Sequence, residues 1–190
     1  MSHPKHQNQV RIIGGTHRGR KITFAVSDGL RPTPDSVREK LFNWLGQDMT
    51  GQTVLDLFAG SGALGFEAAS RGAGKIVMIE ADRQTAQNLN RHREQFGWDG
   101  TVFVCCRTVT AAFLNNTAQT FDTVFLDPPF AWQEWPVLFV ALKGRLKTDA
   151  RVYIEAARLP ELPEWLTVLR EGRAGQSRHL LARVSAGLPN

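Results

Sequence analysis

The chain holds only two cysteines among its 190 residues, the adjacent Cys105 and Cys106. Neighbours in one extended segment are badly placed to close a structural disulfide or share a zinc ion, so both read as small buried hydrophobes in a reducing compartment, and no metal is expected. Long apolar runs are missing too. The longest, residues 137–142, has six residues against the roughly 18 that a membrane span needs. The first ten residues are polar and lack the apolar centre of a secretory signal, so a cytoplasmic protein without membrane association is expected. No internal repeat or low-complexity stretch occurs. With 42% hydrophobic and 22% charged residues, the composition is that of an ordinary globular protein and excludes wholesale disorder.

Acid is scarce in one place. Residues 1–40 carry Lys5, Arg11, Arg18, Arg20, Lys21, Arg31, Arg38 and Lys40 against Asp28, Asp35 and Glu39 alone, so the whole formal net charge of +5 lies there. The other 150 residues balance to zero. At roughly 150 residues per domain, this length fits one domain with a modest appendage: a basic extension over 1–48 and a main domain over 49–190. A one-sided basic segment points to an acidic partner.

From residue 53 onward, short apolar runs alternate with helix-spaced stretches, the rhythm of a parallel sheet covered on both faces. Strands are predicted at 53–58, 75–80, 102–106, 123–126 and 151–155, and helices at 63–71, 83–96, 110–114 and 136–146. Asp82 is placed to cap the second of these helices. Runs at 166–170 and 179–184 read as an antiparallel strand pair. In the extension, 11–13 and 21–24 suggest a small β-ribbon. Thr33-Pro34-Asp35 opens a helix, with Thr33 as cap and Pro34 first inside, whose apolar stripe is Val37, Leu41, Trp44 and Leu45; Arg38 lies off that stripe.

Two motifs carry chemistry. In Asp56-Leu57-Phe58-Ala59-Gly60-Ser61-Gly62-Ala63-Leu64-Gly65, three glycines sit between a strand and a helix, and Glu80 ends the next strand. This pattern serves adenosine cofactors. A pyrophosphate would be repelled by a carboxylate at Asp56, whereas the ammonium and sulfonium of S-adenosylmethionine would be attracted to it, which favours that cofactor over NAD. Glu80 can accept hydrogen bonds from ribose hydroxyls in either cofactor.

The second motif is Asp127-Pro128-Pro129-Phe130, at the end of the fourth strand and therefore at the same sheet edge. Two prolines withhold their N–H groups, which leaves a carboxylate and rigid carbonyls as acceptors. Such a set suits the exocyclic NH2 of a nucleobase, with Phe130 stacked on the ring. Trp132 and Trp135 follow closely enough to be considered for base contact.

The combination resembles the S-adenosylmethionine-dependent amino-methyltransferases. With Arg11-Ile12-Ile13-Gly14-Gly15, Arg18-Gly19-Arg20-Lys21, Leu30-Arg31-Pro32-Thr33 and the run from Val37 to Leu45, it is similar to the RsmD family of small-subunit ribosomal RNA guanine-N2 methyltransferases. The resemblance implies a Rossmann-like α/β fold with a seven-stranded, mostly parallel sheet. It implies Asp56, Phe58, Gly60, Ser61, Gly62 and Glu80 as cofactor-binding positions. It makes Asp127, Pro128, Pro129 and Phe130 the catalytic box. Related enzymes place an Asn or Asp near the cofactor adenine after the third strand; this chain has Cys106-Arg107-Thr108, so backbone or Thr108 takes that place. The implied partner is 16S ribosomal RNA, within the small subunit or an assembly intermediate, bound through Arg11, Arg18, Arg20, Lys21, Arg31 and Arg38 by a monomer. The implied target is a guanine of the position-966 type. The residues alone leave adenine N6, a non-catalytic RNA-binding module and a nicotinamide oxidoreductase as alternatives.

Overall fold

The computed structural model describes residues 7–25, 33–108 and 111–185. The five apolar runs become five parallel strands: β3 (Thr53–Asp56), β4 (Lys75–Glu80), β5 (Val102–Cys106), β6 (Phe121–Leu126) and β7 (Leu146–Ala156). Two antiparallel strands, β8 (Leu166–Ala174) and β9 (Ser177–Val184), complete a seven-stranded sheet in the order β5-β4-β3-β6-β7-β9-β8. This is the expected mostly parallel architecture. Its strand order reverses between β3 and β6, the position where open sheets of this kind form a crevice.

Alternate residues along each strand feed opposite faces, as the two-residue pleat requires. Val54, Ile76 and Met78 join one core with α2 (Ala63–Ser70) and α3 (Arg83–Gln95), while Leu55, Val77 and Val124 join another with α4 (Ala111–Asn116) and α5 (Trp135–Lys143). Asp82 caps α3 as expected, its carboxylate accepting from the Thr85 N–H at 2.7 Å.

The N-terminal ribbon belongs to the first of these cores. Strands β1 (Gln7–Arg11) and β2 (Lys21–Ala25) pair antiparallel, and Val10, Ile12, Ile22 and Phe24 are buried with Leu41 and Phe42 of α1 (Asp35–Leu45) against the sheet. The first strand lies earlier than the sequence suggests. Ile13 and Gly14 leave the ladder because their N–H groups donate to the two carboxylate oxygens of Glu67 on α2, each at 2.8 Å. Close contact follows: a side-chain carbon at Gly15 would lie 1.8 Å from the Ser70 carbonyl.

The start of α1 also differs. Pro34, not Thr33, occupies the cap position, and no side chain caps the helix. The Thr33 hydroxyl is directed instead toward Asp127 and Glu155.

Candidate active site

Because β4, β3, β6 and β7 are parallel neighbours, their carboxyl ends share one edge, and each end carries an acid: Glu80, Asp56, Asp127 and Glu155. Four carboxylates side by side would repel one another, so what each accepts determines the site.

Glu80 and Asp56 brace the glycine loop. Glu80 Oε2 accepts from the Gly60 N–H at 2.9 Å, and its Oε1 from the Asp82 N–H at 2.8 Å. Asp56 is 2% exposed, and its Oδ2 accepts from the Gly65 N–H at 3.0 Å. Burial pushes the Asp56 carboxyl up to about 7; the Gly65 N–H pulls it down, the Glu80 charge raises it further and the Phe58 N–H opposes the rise. Gly62 has φ +80° immediately before α2, and a side-chain carbon there would lie 2.6 Å from Leu89 and Phe66. Gly65 lets α2 approach the sheet, since a carbon there would lie 2.3 Å from Met78. Ser61 is buried within the loop, and Phe58 is half-buried, edge-on to Trp132 at 5.2 Å. Thr108 is exposed just past β5, after the Arg107 N–H donates to the Glu80 carbonyl at 2.9 Å. An edge this rich in carboxylates fits a cationic cofactor with hydroxyls to donate and does not fit a pyrophosphate.

Asp127 lies at the end of β6. Its carboxyl is pushed well above the usual range, first by burial and then by the charges of Glu155 and Asp56, while a hydrogen bond from the Thr33 hydroxyl at 3.3 Å opposes the rise. Pro128 is buried and Pro129 exposed, and the Trp132 N–H closes a turn on the Pro129 carbonyl at 2.8 Å. This turn leaves Phe130 52% exposed, a free aromatic face beside the carboxylate. Trp135, by contrast, is buried against Phe139 at 5.8 Å and offers nothing to a base; Trp132 packs edge-on over it at 4.9 Å.

The basic positions divide. Arg18, Arg20 and Lys21 are exposed on the ribbon and, among the described residues, form no ion pair. Arg11 is exposed and pairs with Asp35 at 3.0 Å. Arg31 lies outside the described residues. Arg38 corrects the sequence expectation: it is 0% exposed and cannot reach a phosphate. Its guanidinium donates to the carbonyls of Arg11 at 2.9 Å and Thr33 at 3.3 Å, and pairs with Asp35 at 2.5 Å and Glu67 at 3.5 Å. Buried between two helices and the ribbon, it is a structural clamp.

Sequence reasoning missed Thr33, Glu67 and Glu155. Glu155 carried a signal, since an acid ends its apolar run just as Glu80 ends the run of β4. Among the described residues, no cluster of His, Cys, Asp or Glu could hold a metal ion, and no helix is long and apolar enough to cross a membrane.

Known proteins are similar to this chain in sequence and fold. The chain is 39% identical to ribosomal RNA small subunit methyltransferase D of Escherichia coli K12, over 98% of this chain and 96% of that one. It is 38% identical to the protein of the same name from Haemophilus influenzae, over 90% and 92% respectively. The solved structure of yhhF from Escherichia coli superposes with a TM-score of 0.83 at 38% identity, covering 95% of this chain and all of that one. The model of the family described as conserved hypothetical protein 95 matches residues 10–183, and the chain belongs to that family, the RsmD family.

Proposed function

We propose that this protein transfers a methyl group from S-adenosylmethionine to the exocyclic N2 of a guanine in 16S ribosomal RNA of the small subunit. The observation that carries the reading is the adjacency of Asp127-Pro128-Pro129-Phe130, which follows β6, to Asp56 at the end of β3 and the glycine loop after it. The names borne by its relatives, ribosomal RNA small subunit methyltransferases, support the substrate class.

The cofactor supplies a methyl carbon on a positively charged sulfur. Glu80 is at the strand end that would receive its ribose hydroxyls, and the charge of Asp56 would attract its cationic end. Ser61 and Gly62 would line it through backbone, with Phe58 and Thr108 at the flanks. Asp127 and the Pro128 carbonyl would accept the two N–H groups of the guanine amine. That would draw the nitrogen lone pair out of the ring and disperse the positive charge that develops as the N–C bond forms and the S–C bond breaks. The donor would leave as the neutral thioether S-adenosylhomocysteine, and the surplus amine proton would pass to the Asp127 carboxylate and on to solvent. Phe130 would stack on the base and hold it in line.

A stacked guanine cannot reach this edge, so the target must be in a loop or flipped out. Arg11, Arg18, Arg20, Lys21 and Arg31 would hold the flanking phosphates. Work on ribosomal particles or their assembly intermediates puts the protein in the cytoplasm.

The test is labelled methyl transfer to small subunits and to naked 16S RNA from cells lacking this activity, with the modified base mapped. Label on guanine N2 in small-subunit RNA supports the reading. Label confined to adenine N6, or no label in RNA, refutes it.

A further inference from the structure

The carboxylate beside Asp127 has no task in the reaction just described. Glu155 is 6% exposed at the end of β7, yet it accepts from three hydroxyls: Ser177 to Oε1 at 2.7 Å, Tyr153 to Oε2 at 2.8 Å and Thr33 to Oε2 at 3.4 Å. Asp127 Oδ2 accepts from the same Thr33 hydroxyl at 3.3 Å. One hydroxyl carries one proton, so Thr33 stands between two carboxylates at nearly equal distance and can serve only one of them fully.

Thr33 is itself held in place. Its carbonyl accepts from Arg38, and its side chain is buried where the chain enters α1. The side chain therefore cannot swing out to solvent, and the choice between Asp127 and Glu155 is made by rotating the hydroxyl. When an amine N–H arrives at Asp127, Glu155 remains as an acceptor for the displaced hydroxyl. The nearby charge of Glu155 also makes Asp127 a stronger acceptor for a nitrogen that is turning positive.

Resting on the reading that Asp127 receives the substrate amine, we propose that Thr33 and Glu155 are positioning residues: Thr33 is a two-way donor that releases Asp127 to the substrate, and Glu155 is the charge that strengthens it. The groups facing this unit are consistent with that role. Asp56 on β3 adds a second negative charge, and the Tyr153 phenol on β7 is pushed well up, first by burial and then by Glu155, so it stays a donor. His179 on β9 is opposite Glu155 in register. Burial lowers its ring, Glu155 opposes that and Lys40 of α1 adds to it, which leaves the ring neutral at pH 7.

The experiment uses the full chain with Thr33→Val, Thr33→Ser and Glu155→Gln, reading kcat and KM for small-subunit RNA, affinity for S-adenosylhomocysteine, and the pH profile of kcat/KM. The Thr33 hydroxyl opposes the rise of the Asp127 carboxyl, so without it less Asp127 is ionised to accept the amine. At neutral pH kcat should be lower by about tenfold in Thr33→Val, with RNA KM and cofactor affinity unchanged and rate restored in Thr33→Ser. Glu155→Gln removes a negative neighbour, so the acid limb of the profile should move to lower pH. A purely structural role would lower the melting temperature and leave that limb in place. An unmoved limb, or a Thr33→Ser variant as slow as Thr33→Val, overturns the proposal.

A second readout separates this proposal from the functional one. If the wild-type chain methylates no ribosomal RNA, the functional reading fails, while carboxyl-carbon NMR still titrates Asp127 directly. Glu155→Gln should lower the Asp127 titration, and an unchanged titration overturns the unit.

Discussion

Arg38 and Glu67 meet at 3.5 Å with neither side chain exposed to solvent. Around them the ribbon, the start of α1 and the middle of α2 are joined by charge: Glu67 also accepts from the Ile13 and Gly14 N–H groups and from Arg71 Nε at 2.8 Å. Removing one partner of a buried network leaves uncompensated charge, so Arg38→Ala should cost about 3–5 kcal/mol in chemical denaturation. Loss of less than about 1 kcal/mol, the worth of an exposed pair, would show that the clamp is not structural.

The ribbon charges should behave differently. Arg18, Arg20 and Lys21 support nothing inside the molecule, so replacing all three with Ala should leave the melting temperature nearly unchanged. RNA affinity should fall, and its logarithmic salt slope should flatten by about 0.7–0.9 for each phosphate contact removed. The check is RNA binding measured across a series of salt concentrations; an unchanged slope would show that these side chains do not touch phosphate.

Asp56 makes stability depend on pH in an unusual direction. Its carboxyl titrates at about 7 in the folded chain against 3.8 for the ordinary group, so the fold favours the protonated form. The unfolded chain releases that proton at lower pH, and stability should therefore fall as pH rises from about 4 through 7. Asp127, raised by burial and by Glu155, pulls the same way. The exposed Asp48 and Asp82 are lowered by bonds from Thr50 and Thr85, and their contribution disappears only as pH falls below the ordinary carboxylate range. Melting temperatures near pH 5.5 and pH 8 should show the wild type less stable at the higher value and Asp56→Asn with a smaller difference. An identical pH dependence in the two proteins would contradict the raised titration.

That titration also predicts a proton signal on binding. A cationic cofactor end near Asp56 favours the carboxylate, so binding near pH 7 should release protons. Calorimetry with S-adenosylmethionine in buffers of different ionisation enthalpy should give a buffer-dependent heat, and Asp56→Asn should reduce that dependence. Equal buffer dependence in both proteins would remove Asp56 from the cofactor site.

The parallel sheet was legible because strands buried on both faces are apolar without interruption, as in the runs of β4 and β6. The acids ending β3, β4 and β6 were legible for the same reason, each marking where an apolar run stops. Thr33 was misread because Thr-Pro-Asp satisfies a local capping pattern, while the partner that claims its hydroxyl is 94 residues away. Arg38 was misread because helical periodicity placed it off the Val37, Leu41 and Leu45 stripe as though in water. Its partner Glu67 lies 29 positions later, on another helix. Local spacing reports which face of an element is apolar; it does not report a buried charge neutralised by another element.

In the proposed reaction Asp127 receives the amine of a ribosomal RNA guanine. The most direct measurement compares wild type and Asp127→Ala for methyl transfer to small-subunit RNA, alongside S-adenosylhomocysteine affinity in both. Transfer should fall by about 100-fold or more, the scale for removing a charge-stabilising group, with cofactor affinity retained. Near-normal turnover by Asp127→Ala would contradict it.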